Sequence, residues 1–230
     1  MRTKTLYAIG IILVLLALQG CSSHPEEGLL QRYFNAIKLK DIATMSSMAV
    51  DPIAIDVDNW NITAVSEEKA SATNLADLAK LEADLKKKLE GHAGPVVEAQ
   101  DLMFSAKEKY DSARSGGAKS AAKKEMEEAT ANFEKERELH RQIQKEYNDA
   151  SAMAKKEEDT TLFSLGNRDM TNARDLAGMV YAKEVDVAVK GTDGTTKNYR
   201  FHLKRYELRD ETINLTHRGR WVIINFETLN

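Results

Sequence analysis

Residues 110–125 read YDSARSGGAKSAAKKE. A glycine pair, Gly116-Gly117, interrupts a long stretch rich in Ala, Lys, Glu and Leu and poor in β-branched residues, the composition of long helices. Working outward from the pair, apolar residues recur at heptad spacing in both directions. Toward the N-terminus they run from Tyr110 back through Met103, Val96 and Leu89 to Leu75; toward the C-terminus, from Ala122 through Phe133 and Ile143 to Ala154. Two heptad arms around a glycine pair predict an antiparallel coiled-coil hairpin closed at the glycines. Each arm is about 40 residues, or roughly 60 Å at about 1.5 Å per residue.

With the turn at Gly116-Gly117, facing residues carry numbers adding to about 233. The first arm is expected to break at Gly91-His92-Ala93-Gly94-Pro95, because proline removes an amide donor and clashes with the preceding turn. The facing stretch is Glu138 to Gln142, which contains the polar seam position His140 and lies beside the polar seam position Glu136. His92, Glu136 and His140 are therefore candidate metal ligands, carboxylate and imidazole being ligand types that metal ions take. The plainer reading is a wet kink. At the tip, Arg114, Ser115 and Lys119 are candidate partner contacts.

On either side of residues 68–159 the periodicity changes. Gly28 to Leu39 predicts an amphipathic helix with Leu30, Phe34 and Ile37 on one stripe. A short helical turn opens at Lys40-Asp41 and ends before Pro52, and Ile53 to Val65 alternates as a strand. Beyond the hairpin, Val185, Val187 and Val189 alternate with polar residues, Gly191-Thr192-Asp193-Gly194 supplies a turn, and Tyr199, Phe201 and Leu203 alternate again. Arg220 to Phe226 is apolar on both faces, which predicts a central strand. The class is α+β, with residues 28–67 and 160–230 forming one discontinuous domain and 68–159 a helical hairpin inserted in it.

The N-terminus carries an address. Arg2 and Lys4 precede an apolar run, Leu6 to Leu18, too short to span a bilayer that needs about 20 helical residues. The run ends in Leu18-Gln19-Gly20-Cys21, which resembles the lipobox of bacterial lipoproteins. The resemblance implies a signal peptide over residues 1–20, a diacylglycerol-type lipid (palmitate and its like) on Cys21, and a tether over 21–27. Several acyl chains anchor far better than one. Cys21 is the only cysteine, so if it carries lipid no disulfide remains. Ser22 in place of an Asp implies the periplasmic face of the outer membrane, in a host with two membranes.

A second resemblance is carried by Leu29-Leu30-Gln31-Arg32-Tyr33-Phe34, by Gly219-Arg220-Trp221-Val222-Ile223, and by the order of the elements. These look like the nuclear transport factor 2-like (cystatin-like) fold, over about Glu27–Glu67 and Gly178–Glu227. The resemblance implies a curved antiparallel sheet packed on the N-terminal helix around a conical cavity; the long hairpin stands where that family has a short helix. Some members are enzymes, and many lipoproteins of this type are interaction domains. A cone would make Tyr181 and Tyr199, on the apolar face with Lys183, candidate ligand contacts. By strand parity Glu184, Asp186 and His202 point away from that face, and no phosphate loop, dinucleotide fingerprint or HExxH motif occurs. No catalytic residue and no cofactor beyond the covalent lipid is expected.

The chain has 33 Lys and Arg against 36 Asp and Glu; losing Arg2 and Lys4 with the signal leaves a net charge of −5, without the basic balance that nucleic acid requires. The expectation is a lipid-anchored, non-enzymatic scaffold or adaptor that meets a protein partner or itself through the hairpin. The alternative is a small-ligand-binding or enzymatic cone-type domain.

Overall fold

The structure is a computed structural model, and it describes residues 25–229. Cys21, its lipobox and the start of the tether lie outside the described residues. The fold is α+β, with a curled antiparallel sheet and two long helices forming a hairpin. By contact the chain divides into two units. One takes the described residues through Ala70, with Tyr181–Arg205 and the chain from Arg220; the other takes Ser71–Val180 and Tyr206–Gly219. The sequence boundaries at 68 and 160 thus fall differently: residues 160–180 and 206–219 group with the long helices.

In the first unit, helix α1 is Pro25–Leu39, so residues 25–27, expected in the tether, are helical. Proline is favoured at a helix's first position, and Glu26 and Glu27 suit its positive end. Lys40 at φ 55° ends the helix, and Asp41 caps α2, Ile42–Ser46, by accepting from the Thr44 amide at 3.0 Å. Strand β1 is Asn59–Val65. The expected strand from Ile53 does not form its first half, and Tyr33 supplies the reason. Its hydroxyl donates to the Ile53 carbonyl and accepts from the Ile53 amide, both at 3.0 Å, so those groups are not offered to a ladder. Burial raises the Tyr33 phenol above its usual range.

The sheet is completed by β2 (Lys69–Ala72), β3 (Ala177–Lys190), β4 (Thr196–Asp210), β5 (Leu215–Arg218) and β6 (Val222–Leu229). β1 and β2 pair with β3, β3 with β4, and β4 with β5 and β6. The Gly191–Gly194 turn joins β3 to β4 as expected, with Gly194 at φ 83°. Register shifts at Ile62/Ala64 and at His202/Leu203 are the bulges that let such a sheet bend. β6 is not central. It pairs only with β4, and its other edge is covered by residues 48–50, through Ile223 N–H to Met48 O and Val50 N–H to Ile223 O at 2.9 Å each. Its apolar start is accounted for by burial of the Val222 and Ile223 side chains, which an outer strand with one face packed on each side can also achieve. α1 packs Leu30, Tyr33 and Phe34 against Val185, Val187 and Phe201. Phe34 stacks on Trp60 at 4.8 Å and Phe201 on Phe226 at 4.8 Å.

In the second unit, α3 is Leu75–Ser112 and α4 is Gly116–Leu165. The link is Ala113–Ser115 rather than the glycine pair. Ser115 caps α4 by accepting from the Ala118 amide at 3.3 Å, which lets both glycines enter the helix. The seam follows the heptads: Ala99, Ala106, Ile143, Ala150 and Ala154 are buried. Its register is marked by Glu82–Ser151, Lys88–Glu146, His92–His140 and Lys109–Glu125, whose numbers add to within one of 233. The expected break in the first arm is absent, because α3 runs unbroken through Gly91–Pro95. His92 and Val96 hold their seam positions on both sides of the proline, and packing along α4 outweighs one missing hydrogen bond. Gly166, at φ 67°, ends α4. A second core joins Leu75, Ala173, Leu176 and Leu208.

Candidate functional site

The sequence candidates fall in three places, beginning with the roll. Tyr199 is 9 % exposed and meets the edge of Phe226 at 5.7 Å. The Tyr181 ring lies under the Arg205 guanidinium at 4.4 Å. Protein side chains therefore cover both rings. Around Tyr181 is a charge cluster. Lys183 Nζ lies 3.6 Å from Glu26 and 3.9 Å from Glu68, Arg205 lies 3.7 Å from Glu68, and both cations sit over Trp221 at 5.4 and 5.5 Å. Glu26 is 1 % exposed. A carboxylate this deep needs a cation beside it. Its signal in the sequence was Lys183, on the apolar parity of Val185 and Val187; nothing local marked Glu26 as its partner.

The other face of the sheet carries the acid and base residues that parity assigned to it. Arg200 holds Asp186 in a two-point pair at 2.8 and 2.9 Å, which keeps the Asp186 carboxyl below the usual range and raises the guanidinium. His202 lies 3.8 Å from Glu184 and 3.5 Å from Glu227. A cleft of about 270 Å³ opens there beside Ser66, Lys69, His202 and Lys204.

The second place is the middle of the hairpin. His92 Nε2 lies 3.1 Å from Glu136, and the rings of His92 and His140 stack at 5.8 Å, 24° from parallel. The sequence brought these three together correctly. They form a stacked pair with one carboxylate, and among the described residues no group of three or more His, Cys, Asp or Glu side chains is placed to hold a metal ion. Nearby, α3 exposes Val97 (55 %) and Phe104 (53 %) on one flank and Leu102 (55 %) on the other. A shallow groove of about 700 Å³ runs over Gly94, Val97, Asp101 and Leu102. The heptad pattern singles out seam positions only; the signal in the sequence for these residues was three large apolar side chains at non-seam heptad positions.

The third place is the tip. Ser115 is occupied as a cap, the Lys119 ammonium lies 5.3 Å from the Tyr110 ring centre, and Arg114 is exposed. At the opposite end of the helices, Arg174 donates to Glu82 at 2.7 Å and to Glu158 at 2.8 Å. Among the described residues no helix is long and apolar enough to cross a membrane. No family model, curated protein or solved structure compared with the chain matches it.

Proposed function

We propose that this chain is a bacterial lipoprotein of the cell envelope, held by lipid on Cys21, whose helical hairpin makes it a non-enzymatic scaffold or adaptor. The address rests on the Leu18-Gln19-Gly20-Cys21 lipobox behind a short apolar run, and Ser22 favours the periplasmic face of an outer membrane. The roll is proposed as a nuclear transport factor 2-like domain that serves as a platform.

The single observation that carries the adaptor reading is the surface of the hairpin. Its two helices satisfy each other along one seam, yet α3 keeps Val97, Leu102 and Phe104 more than half exposed. Apolar side chains that lie together in water mark a surface available to a partner, and Val97 and Leu102 line one groove. Tyr199 is buried against Phe226, and Arg205 lies over the Tyr181 ring, so neither tyrosine the ligand-binding alternative relies on presents an open ring face there.

The test is photocrosslinking in the host from Ser115 at the tip, with the full chain, followed by mass spectrometry. A distinct protein partner is the expected result. No crosslink to any other protein, from a chain that is exported and folded, would overturn the adaptor reading.

A further inference from the structure

Helix α1 begins at Pro25, and only Ser22, Ser23 and His24 separate it from Cys21. Chain of that length spans at most about 14 Å even when fully extended. With lipid on Cys21, the first turn of α1 is held within that distance of the bilayer surface. Glu27, in this turn, lines a groove of about 470 Å³ between α1 and β1, together with Gln31, Trp60, Asn61, Ile62 and Val65. β1 is the end strand of its sheet path, so the groove opens outward.

The wall of the groove on β1 is apolar, and a bulge makes it so. Ile62 and Val65 are three residues apart, and strict alternation would send them to opposite faces. The register shift at Ile62/Ala64 instead places Ile62 opposite Val187 and Val65 opposite Val185, both core residues, so the two share one face. Trp60 joins them and stacks on Phe34, while Val65 stays 40 % exposed. The rim is polar: Glu27, Gln31 and Asn61 are exposed, and so is Arg32 on the same two turns of α1. A tryptophan beside aliphatic side chains, with a wet rim, suits the headgroup level of a bilayer. An exposed acid and an exposed base match the ammonium and the phosphate of a zwitterionic headgroup.

We infer that the groove between the start of α1 and β1 rests on the bilayer that carries the Cys21 lipid, with Trp60, Ile62 and Val65 toward zwitterionic phospholipid. The occupant is lipid because the short link holds Glu27 within about 17 Å of the membrane surface. Such tethering makes a second contact with the bilayer intramolecular, at an effective concentration that a free partner does not reach. The acyl chains already supply the anchor, so the groove contributes orientation more than affinity. The inference rests on the lipid reading of Cys21 and adds to it the face of the roll that meets the membrane.

The test uses the full lipidated chain in vesicles of phosphatidylcholine and phosphatidylethanolamine, with phosphatidylcholine brominated on its acyl chains as the quencher. The chain has two tryptophans, Trp60 and Trp221, so Trp221→Phe leaves Trp60 as the reporter. Its emission should be dimmer in brominated than in plain vesicles. Val65→Glu in the same chain, which puts a charge into the groove, should remove most of that loss while Cys21 keeps the protein on the vesicles. A second readout leaves both tryptophans in place. With Cys21 acylated, Val65→Cys supplies the sole free thiol, and an environment-sensitive maleimide dye there should shift to the blue when vesicles are added. Unchanged circular dichroism excludes unfolding as the cause. A lipidated, vesicle-bound chain whose Trp60 is not quenched, or whose quenching survives Val65→Glu, would overturn the contact and leave the anchor standing. A chain found without lipid on Cys21 would remove the anchor reading and this contact with it.

Discussion

The Arg174 guanidinium donates to the Glu82 carboxylate at 2.7 Å across 92 positions of sequence. Glu82 sits on the α3 seam, where a heptad asks for an apolar side chain, and it also accepts from Ser151 on α4 at 2.7 Å. Arg174 in turn donates to Glu158 at 2.8 Å. Three segments of chain are joined at one polar point.

The Ser151 hydrogen bond first, and the Arg174 guanidinium with it, hold the Glu82 carboxyl below its usual range. A lowered carboxyl contributes stability that is fully present above the ordinary carboxylate range and is lost as pH falls through it. Glu82→Gln is expected to cost about 1–3 kcal/mol at pH 7. Urea titrations of parent and variant should converge as pH falls below about 4. A gap that stays constant with pH would show that the loss is one of packing.

Lys183 and Glu26 make a deeper pair. Lys183→Met leaves a carboxylate that is 1 % exposed without the ammonium now 3.6 Å away, at an expected cost of about 3–5 kcal/mol. Changing Glu26→Gln in the same chain should recover a large part of it. Denaturant midpoints of the two single variants and the double variant give the coupling directly. Strictly additive losses would mean that the pair has no energetic existence.

Two glycines should answer oppositely to alanine. A Cβ at Gly178 would overlap the Glu207 carbonyl oxygen and lie 2.7 Å from Leu208 Cδ2, whereas one at Gly28 in α1 meets nothing within 4 Å. Gly178→Ala is expected to cost more than about 2 kcal/mol, since backbone must move to admit it. Gly28→Ala should gain up to about 1 kcal/mol from helix propensity. Thermal melts of both variants check the pair.

How much of this was legible in the sequence depended on whether a pattern was local. The seam repeats within seven residues, so the α3–α4 register could be read from the glycine pair outward. Valines alternating at 185, 187 and 189 likewise fixed which face of β3 is buried. The failures came where a distant group intervened. Ile53 alternates like a strand residue, yet Tyr33, 20 positions earlier, takes both its backbone groups. The run from Arg220 to Phe226 reads as central because it is apolar on both faces, yet β6 pairs with β4 alone and its other side meets the chain at residues 48–50 rather than another strand. Arg174 and Glu82 gave no sign of one another. At the candidate site, the convergence of His92, Glu136 and His140 followed from register, while the exposed residues of α3 did not belong to any pattern that burial would impose.

Lipid on Cys21 predicts a simple fractionation. The parent should pellet with membranes and resist extraction by high salt, which removes proteins held by charge alone. Cys21→Ser should lose processing and acyl labelling together, since both depend on the same thiol. A variant that is still cleaved and labelled would remove the lipobox reading.

Pro95 is the residue least suited to its place, deep inside a 38-residue helix. It offers no amide to the Gly91 carbonyl, and Gly91 and Gly94 beside it add flexibility that a helix interior does not favour. Pro95→Ala should therefore raise stability by about 1–3 kcal/mol, the cost of proline being reduced by whatever bend α3 has already accommodated. Gly91→Ala and Gly94→Ala should add about 0.5–1 kcal/mol each, with room for both side chains. If the run existed only for lack of selection against it, all three changes would be gains without loss. Thermal melts of the three variants check this: a midpoint that stays the same or falls would mean that Pro95 and the two glycines are held in α3 by packing rather than tolerated there.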